Sequence, residues 1–206
     1  MAEFSIIDTY FNRKNLDSVD LGVGDDSALL TPPPDHQLVI CADTLVAGRH
    51  FPLDTSTHAI GWKCVAVNLS DIAAMGAQPH SILLALSLPQ IDHAWLKEFS
   101  RGLYDCCDQF GVRLIGGDTT QSPHLTLSVT ALGWIPNGLA VKRSGAQVGD
   151  LICVSGTIGD AAFALQHLGH PLQKRLDYPT PRCELGAHLK NLAHSMIDVS
   201  DGLAQD

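Results

Sequence analysis

The sequence predicts an α+β chain made of one complete unit and the opening part of a second. Three observations carry this. Short apolar segments bounded by Pro, Gly or Asp, as strands are, alternate with longer segments of helical spacing. A turn at Pro136-Asn137-Gly138 is followed by a polar, Gly-flanked stretch, after which a fresh strand–helix pattern starts at Leu151. The chain has 206 residues, 45% hydrophobic and 17% charged. That is a core-forming composition, and at about 100–200 residues per domain it allows one large unit or two small ones.

A short amphipathic helix fits Ser5–Phe11. A Gly/Asp loop, Gly22-Val23-Gly24-Asp25-Asp26, leads to a short strand near Ala28–Leu30 and a turn at Thr31–Asp35. Gln37–Ala42 reads as a buried strand ending at Asp43. His58–Met75 is a long helix, apolar nearly all round and therefore buried, with Gly76 suited to its C-terminal cap. Ser81–Leu88, between Pro79 and Pro89, is a strand. Asp92 can cap a helix running to about Phe110, where Gly111 ends it. Strands follow at Val112–Ile115, stopping at Gly116-Gly117-Asp118, and at His124–Leu132. Ala140–Asp150 is a connector. Beyond it the pattern predicts a strand at Leu151–Ser155, helices at Asp160–Leu168 and Pro181–Leu192, and a strand at Met196–Val199. The new Asp201-Gly202 opening just before Asp206 reads as a second unit cut short.

Charge narrows the function. With 22 acids against 13 bases the net charge is −9, which argues against nucleic acid or an anionic membrane as partner, since either needs a basic face. The acids are 19 Asp and 3 Glu, a bias towards turns, caps and metal sites. No apolar run approaches the ~18 residues of a membrane span, and the start lacks a signal-like segment. Six cysteines without a C-x-x-C pair fit free thiols in a reducing cytoplasm.

Five aspartate motifs share one design, an apolar segment beside a Gly/Ser/Thr/Asp loop: Gly24-Asp25-Asp26, Ala42-Asp43-Thr44, Asn68-Leu69-Ser70-Asp71, Gly117-Asp118-Thr119-Thr120 and Asp198-Val199-Ser200-Asp201-Gly202. Each alone could be a plain turn. Asp71, inside an apolar helix, needs a partner. Seven of the 22 acids lie in these motifs, and the remaining 15 nearly balance the 13 bases. Clustered carboxylates repel and resist desolvation; hard divalent cations offset both, and all-oxygen ligands suit Mg²⁺, Mn²⁺ or Ca²⁺. Zinc, P-loop and nucleophile-elbow patterns are absent. Arg143, in a Gly-flanked loop, suits either a phosphate clamp or a solvated linker charge.

Together these residues resemble the thiamine-monophosphate kinase family, within the superfamily of aminoimidazole ribonucleotide synthetase, selenophosphate synthetase and the hydrogenase-maturation dehydratase. The matching stretches are Gly22–Leu30, Asp43–Phe51, Val67–Ala77, Gly116–Thr120, Arg143–Ala146 and Ile197–Leu203. The resemblance implies an N-terminal mixed β-sheet with helices packed on one face, dimerising through the sheet, followed by an incomplete α/β C-terminal domain. It divides the chain into an ATP/Mg-binding unit at 1–137, a connector at 138–150 and the start of a second domain at 151–206. The implied reaction moves the γ-phosphoryl group of ATP to thiamine monophosphate in one direct in-line step. By the same resemblance, several Mg²⁺ ions are held by Asp26, Asp43, Asp71, Asp118, Asp198 and Asp201. Gly117, Asp118, Arg143 and Ser200 match ATP contacts, and His50 matches a substrate contact. Asp71, Asp118 and Arg143 are the expected catalytic residues. The family often has a hydroxyl residue just before Asp43; here the pair is Cys41-Ala42, so metal contacts there would use backbone carbonyls.

The implied chemistry agrees with the residues. A phosphate acceptor, with a second pKa of about 6, is already ionised at neutral pH and needs no general base. The task is alignment and neutralisation of charge. Two other readings stay open: another ATP-dependent enzyme of the superfamily, and a non-catalytic Ca²⁺-binding or interaction domain.

Overall fold

A computed structural model describes residues 3–13 and 18–206. The N-terminal segment is a helical turn, α1 (Glu3–Ile6), continued by a π-type turn over Ile7–Phe11. The main elements follow: β1 (His36–Val46), α2 (Thr57–Ala74), β2 (Gln78–Leu88), α3 (His93–Phe110), β3 (Arg113–Gln121) and β4 (Thr126–Pro136). The strands form one mixed sheet of order β1-β4-β2-β3. β4 is antiparallel to both β1 and β2, and β2 is parallel to β3 across the α3 crossover. This confirms an α+β fold with a mixed sheet.

Helices cover one face of the sheet. Along β4, Leu127, Val129, Ala131, Gly133 and Ile135 are buried and the residues between them are half-buried, the period-two signature of a sheet covered on one side. Leu69 and Ile72 of α2 and Phe99 and Leu103 of α3 lie fully inside the same core. Each such side chain contributes about 1.5–3 kcal/mol by leaving water. On the opposite face Leu38 and Ile40 of β1 remain exposed.

α3 begins and ends on the caps its sequence predicts, and α2 starts one residue earlier than expected, on a Ser56 cap. The Ser56 hydroxyl accepts from the Ala59 N–H, and the Asp92 carboxylate accepts from the Ala94 and Trp95 N–H groups. Gly111, at φ +67°, closes α3, and the Val112 N–H reaches back to the Cys107 carbonyl. α2 and α3 cross through two glycines. A Cβ on Gly61 would sit 2.1 Å from the Phe99 carbonyl oxygen, and one on Gly102 would sit 1.9 Å from that of His58.

Several boundaries differ from expectation. β3 does not stop at Gly116; it bulges between its pairings with Ile82 and Leu83 and continues to Gln121. A glycine pair makes this possible, since a Cβ on Gly117 would meet the Leu84 carbonyl oxygen at 1.9 Å. The expected strand at Ala28–Leu30 is only a bridge from Leu29 to Leu21. After β4 the chain forms three short helices, α4 (Asp160–Gln166), α5 (Gln173–Asp177) and α6 (Cys183–Leu189). The expected strands at 151–155 and 196–199 do not form ladders among the described residues; Leu151 and Ile152 are 90% and 95% exposed. A strand needs a neighbour to pair with, and none lies beside these segments.

The helix crossing gives a direct test. Gly61→Ala should lower the free energy of unfolding in urea by about 1–3 kcal/mol or more, the cost of overpacking. Gly111→Ala, which meets open space and only strains a left-handed φ, should cost about 1 kcal/mol. Equal losses at both sites would contradict the close crossing.

Candidate phosphoryl-transfer site

The site is built on the seam between β1 and the C-terminal half of α2. Cys41 and Asp43 occupy alternate positions of β1 on its helix-covered side, while Ala42 between them is exposed. From α2, Asn68 and Asp71 lie one turn apart. The Asn68 side-chain oxygen accepts from the Asp43 N–H at 3.0 Å, and its NH₂ donates to the Cys64 carbonyl at 2.9 Å. The Cys41 thiol donates to the Asn68 carbonyl at 3.3 Å.

A third wall comes from beyond the connector. The Arg143–Gly145 turn docks against the 194–195 segment: the Ser195 hydroxyl donates to the Arg143 carbonyl at 2.7 Å, and a Cβ on Gly145 would lie 1.7 Å from the His194 carbonyl oxygen. Asp150 ties the same region together, accepting from the Gln147 N–H and lying 2.8 Å from His194 Nδ1. These contacts bring Arg143 and Asp198 to the seam.

The electrostatics record the convergence. Burial, with Asp198 and Asp43 adding repulsion, pushes the Asp71 carboxyl up to about 6; the Cys41 thiol and Arg143 act the other way. Asp198 is raised by burial, Asp206 and Asp43, and lowered by Arg143. Burial and the neighbouring Asp71 and Asp43 push the Cys41 thiol up to about 12. Asp71 also sits in the last turn of α2, where the helix dipole is negative. Everything around Asp71 except Arg143 and the thiol therefore disfavours its charge. Hard oxygen donors in mutual repulsion are a donor set that fits a divalent cation such as Mg²⁺. Among the described residues, no three His, Cys, Asp or Glu side chains stand close enough to enclose an ion by themselves.

The 200–202 loop presents a second feature. The N–H groups of Ser200, Asp201 and Gly202 all donate to one carboxylate oxygen of Asp206, at 2.9, 3.1 and 3.1 Å. Three consecutive amides on a single anionic oxygen form a nest, a geometry that also takes a phosphate oxygen. Asp206 was not singled out by sequence reasoning, because nothing in the pattern marks which acceptor fills a nest.

Other expected site residues lie apart from this group. Asp118 is exposed on β3 opposite Ala85, with Gly117 beside it, and Asp26 is exposed in its loop, where its N–H meets the Asp25 carboxylate. Among the described residues, no side-chain hydrogen bond or ion pair joins Asp26, Asp118 or Asp201 to the seam. His50 folds onto its own loop, its Nδ1 accepting from the Val46 N–H at 2.9 Å. A hollow of about 500 Å³ lined by Ser56, Thr57, His58, Glu98, Arg101 and Tyr178 lies at the opposite end of α2 and holds none of the motif aspartates.

Comparison with known proteins places the chain in a family. The family of AIR synthase related proteins, N-terminal domain, matches residues 24–135. The chain is 48% identical over its whole length to a thiamine-monophosphate kinase of Escherichia coli and covers 67% of it. It is 50% identical to the crystal structure of thiamine-monophosphate kinase from Stenotrophomonas maltophilia, with a TM-score of 0.87, covering 92% of this chain and 65% of that one. A structure of AaThiL complexed with AMPPCP and TMP aligns at 30% identity and a TM-score of 0.78, covering 85% of this chain and 60% of that one. The chain thus spans about two thirds of the length of the curated relatives it matches. Matched by the family model over 24–135 and 48% identical along its whole length to a curated member, the chain belongs to the thiamine-monophosphate kinase family.

Proposed function

We propose that the whole protein is an ATP-dependent kinase that transfers the γ-phosphoryl group of ATP directly to the phosphate of thiamine monophosphate, giving thiamine diphosphate and ADP. The observation that carries this is the convergence of Asp43, Asp71 and Asp198 with Arg143 at one seam. The solved relative complexed with AMPPCP and TMP supports both substrates. These carboxylates would hold Mg²⁺, which would supply the positive charge that two anionic phosphates need; Asp26, Asp118 and Asp201, which stand apart from the seam here, and the Cys41 and Ala42 carbonyls would serve as ligands of further ions. Arg143 orients and neutralises the phosphate oxygens, fixed by its docking on the 194–195 segment. The Ser200–Gly202 amides and the Gly117 backbone face the nucleotide phosphates, and Asp118 would meet them through a bound cation. His50 contacts the acceptor. Since a phosphate monoester is largely ionised at pH 7, these residues align and shield, and no side chain has to remove a proton.

The exposed sheet face supports a homodimer. Ile40, 58% exposed, and Leu38 stand beside Leu132 and Trp134 of β4, so the uncovered face carries an apolar patch that a second copy of the same sheet would bury. No helix of the described residues is long and apolar enough to cross a membrane, and the described cysteines are all free; both accord with a cytoplasmic enzyme. The chain's boundaries read as an N-terminal nucleotide-binding unit at 1–137, a connector at 138–150 and part of a second domain from 151.

Three outcomes are expected. Mg²⁺ and ATP together should raise the melting temperature by more than the sum of each alone, because the ligand that binds only the native state is their complex; additive or absent shifts would favour a structural metal domain. Asp71→Asn should reduce ADP release with thiamine monophosphate at least ~10²-fold, the scale of losing one preorganised electrostatic group, yet raise the melting temperature of the metal-free protein by removing a repelled charge. Near-normal turnover would refute its role. Ile40→Lys should convert a dimer to a monomer in light scattering; an unchanged mass would place the association elsewhere.

A further inference from the structure

Asn68 is a polar residue in an almost wholly apolar helix, and it is only 1% exposed. Burying an amide is costly unless every group is used. Here both ends are used, and only one orientation satisfies them. The Asp43 N–H requires an acceptor, so it faces Oδ1; the Cys64 carbonyl requires a donor, so it faces Nδ2. Flipping the amide would set donor against donor and acceptor against acceptor.

The two ties to β1 have a further consequence. β1 is an edge strand, paired only with β4. Its helix-facing register is therefore not fixed by a second strand. Cys41 and Asp43, two residues apart and on one face, both bind Asn68, one through its backbone carbonyl and the other through its side chain. Asp71 follows Asn68 by one helical turn. A slide of β1 along α2 would break both ties and carry the Asp43 carboxylate away from Asp71. The unbroken ladder with β4 fixes β1 within the sheet, but apolar packing has no direction and would by itself tolerate a slide of the sheet's edge along α2.

We propose that Asn68 is a positioning residue that locks β1 to α2 through the Asp43 N–H and the Cys41 thiol, and so sets the spacing of the Asp43 and Asp71 carboxylates for a divalent cation. The proposal rests on the magnesium-dependent reading above. The role is indirect: the Asn68 amide is spent on the Asp43 N–H and the Cys64 carbonyl, so it acts through the strand that carries Asp43.

Mn²⁺ binding to the metal-free full-length protein, with free Mn²⁺ counted by electron paramagnetic resonance, tests this without an activity assay. Asn68→Ala should bind Mn²⁺ about 10-fold or more weakly, as loss of a group that orients a ligand does, while its near-UV circular dichroism stays native. Leu103→Val, a core change on α3 away from the seam, controls for destabilisation and should keep wild-type affinity. Cys41→Ala should weaken binding by a smaller factor, and Cys41→Ser, whose hydroxyl can donate to the same carbonyl, should restore it. This pair decides the matter if Asn68→Ala does not fold. Wild-type affinity in both Asn68→Ala and Cys41→Ala, or an equal loss in Leu103→Val, would overturn the role of Asn68 alone. Failure of the wild-type protein to bind Mn²⁺ would overturn the metal reading and this inference with it.

Discussion

The site depends on holding like charges together. Asp43, Asp71 and Asp198 come from a strand, a helix and a segment more than a hundred residues downstream; Asp43 and Asp198 raise the cost of ionising Asp71, and Asp43 that of Asp198. Left to themselves, such groups separate into water. The scaffold prevents this by anchoring α2 on every side. Its face towards the sheet is packed by Leu69 and Ile72, and its face towards α3 is pressed so close that two glycines are required at the crossing. Apolar burial worth several kcal/mol per turn thus exceeds a repulsion that is spread over a partly solvated group. The scaffold thus holds in place carboxylates that repel one another.

The downstream segment is tied to the first unit by several independent contacts. A Cβ on Gly186 of α6 would lie 2.2 Å from the Ala73 carbonyl oxygen, so α6 lies directly on the end of α2 that carries Asp71. At the other end of the helix, the Trp62 indole N–H donates to the Pro179 carbonyl at 2.9 Å, and His58 Nδ1 lies 3.2 Å from the Tyr178 hydroxyl. The Val141 N–H meets the Met75 carbonyl. α2 is therefore the common platform for both walls of the site. Arg143 and Asp198 inherit their positions from backbone contacts on that platform, and a shift of α6 would move both relative to Asp71.

Much of this was legible in the sequence, for identifiable reasons. Both caps of α3 and the glycine after α2 were legible because Asp and Gly satisfy orphaned backbone groups in a fixed way, whereas the Ser56 cap of α2 was not read. Asp71 stood out because a bare carboxylate is improbable in an apolar helix. The continuation of β3 past Gly116-Gly117 was not legible: glycine usually ends a strand, and here it follows a bulge and admits a close approach to the Leu84 backbone instead. The strands expected at 151–155 and 196–199 have the right composition but no neighbour, and strand pairing is a non-local property that composition cannot supply. Asn68 was visible as part of a motif, yet its partners, Asp43 and Cys41, lie 25 and 27 residues away, so its function emerges only when the strand is laid beside the helix.

The two faces of the sheet divide the labour. Alternation along β1 sends Cys41 and Asp43 to the helix side and leaves Leu38, Ile40 and Ala42 on the other. A one-residue slip of β1 would exchange these sets, placing Ile40 at the carboxylates and Asp43 on the apolar face. Register thus decides both which side chains meet the helices and which stay on the uncovered face. Its pairing with β4 runs without interruption from His36 opposite Pro136 to Val46 opposite Thr126, whereas the β2–β3 and β2–β4 ladders each contain a bulge. The unbroken ladder sets the strand's height and the Asn68 amide sets its seat on α2. Irregularity is confined to strands that do not carry Asp43, which is where a fold that must place one carboxylate accurately can tolerate it.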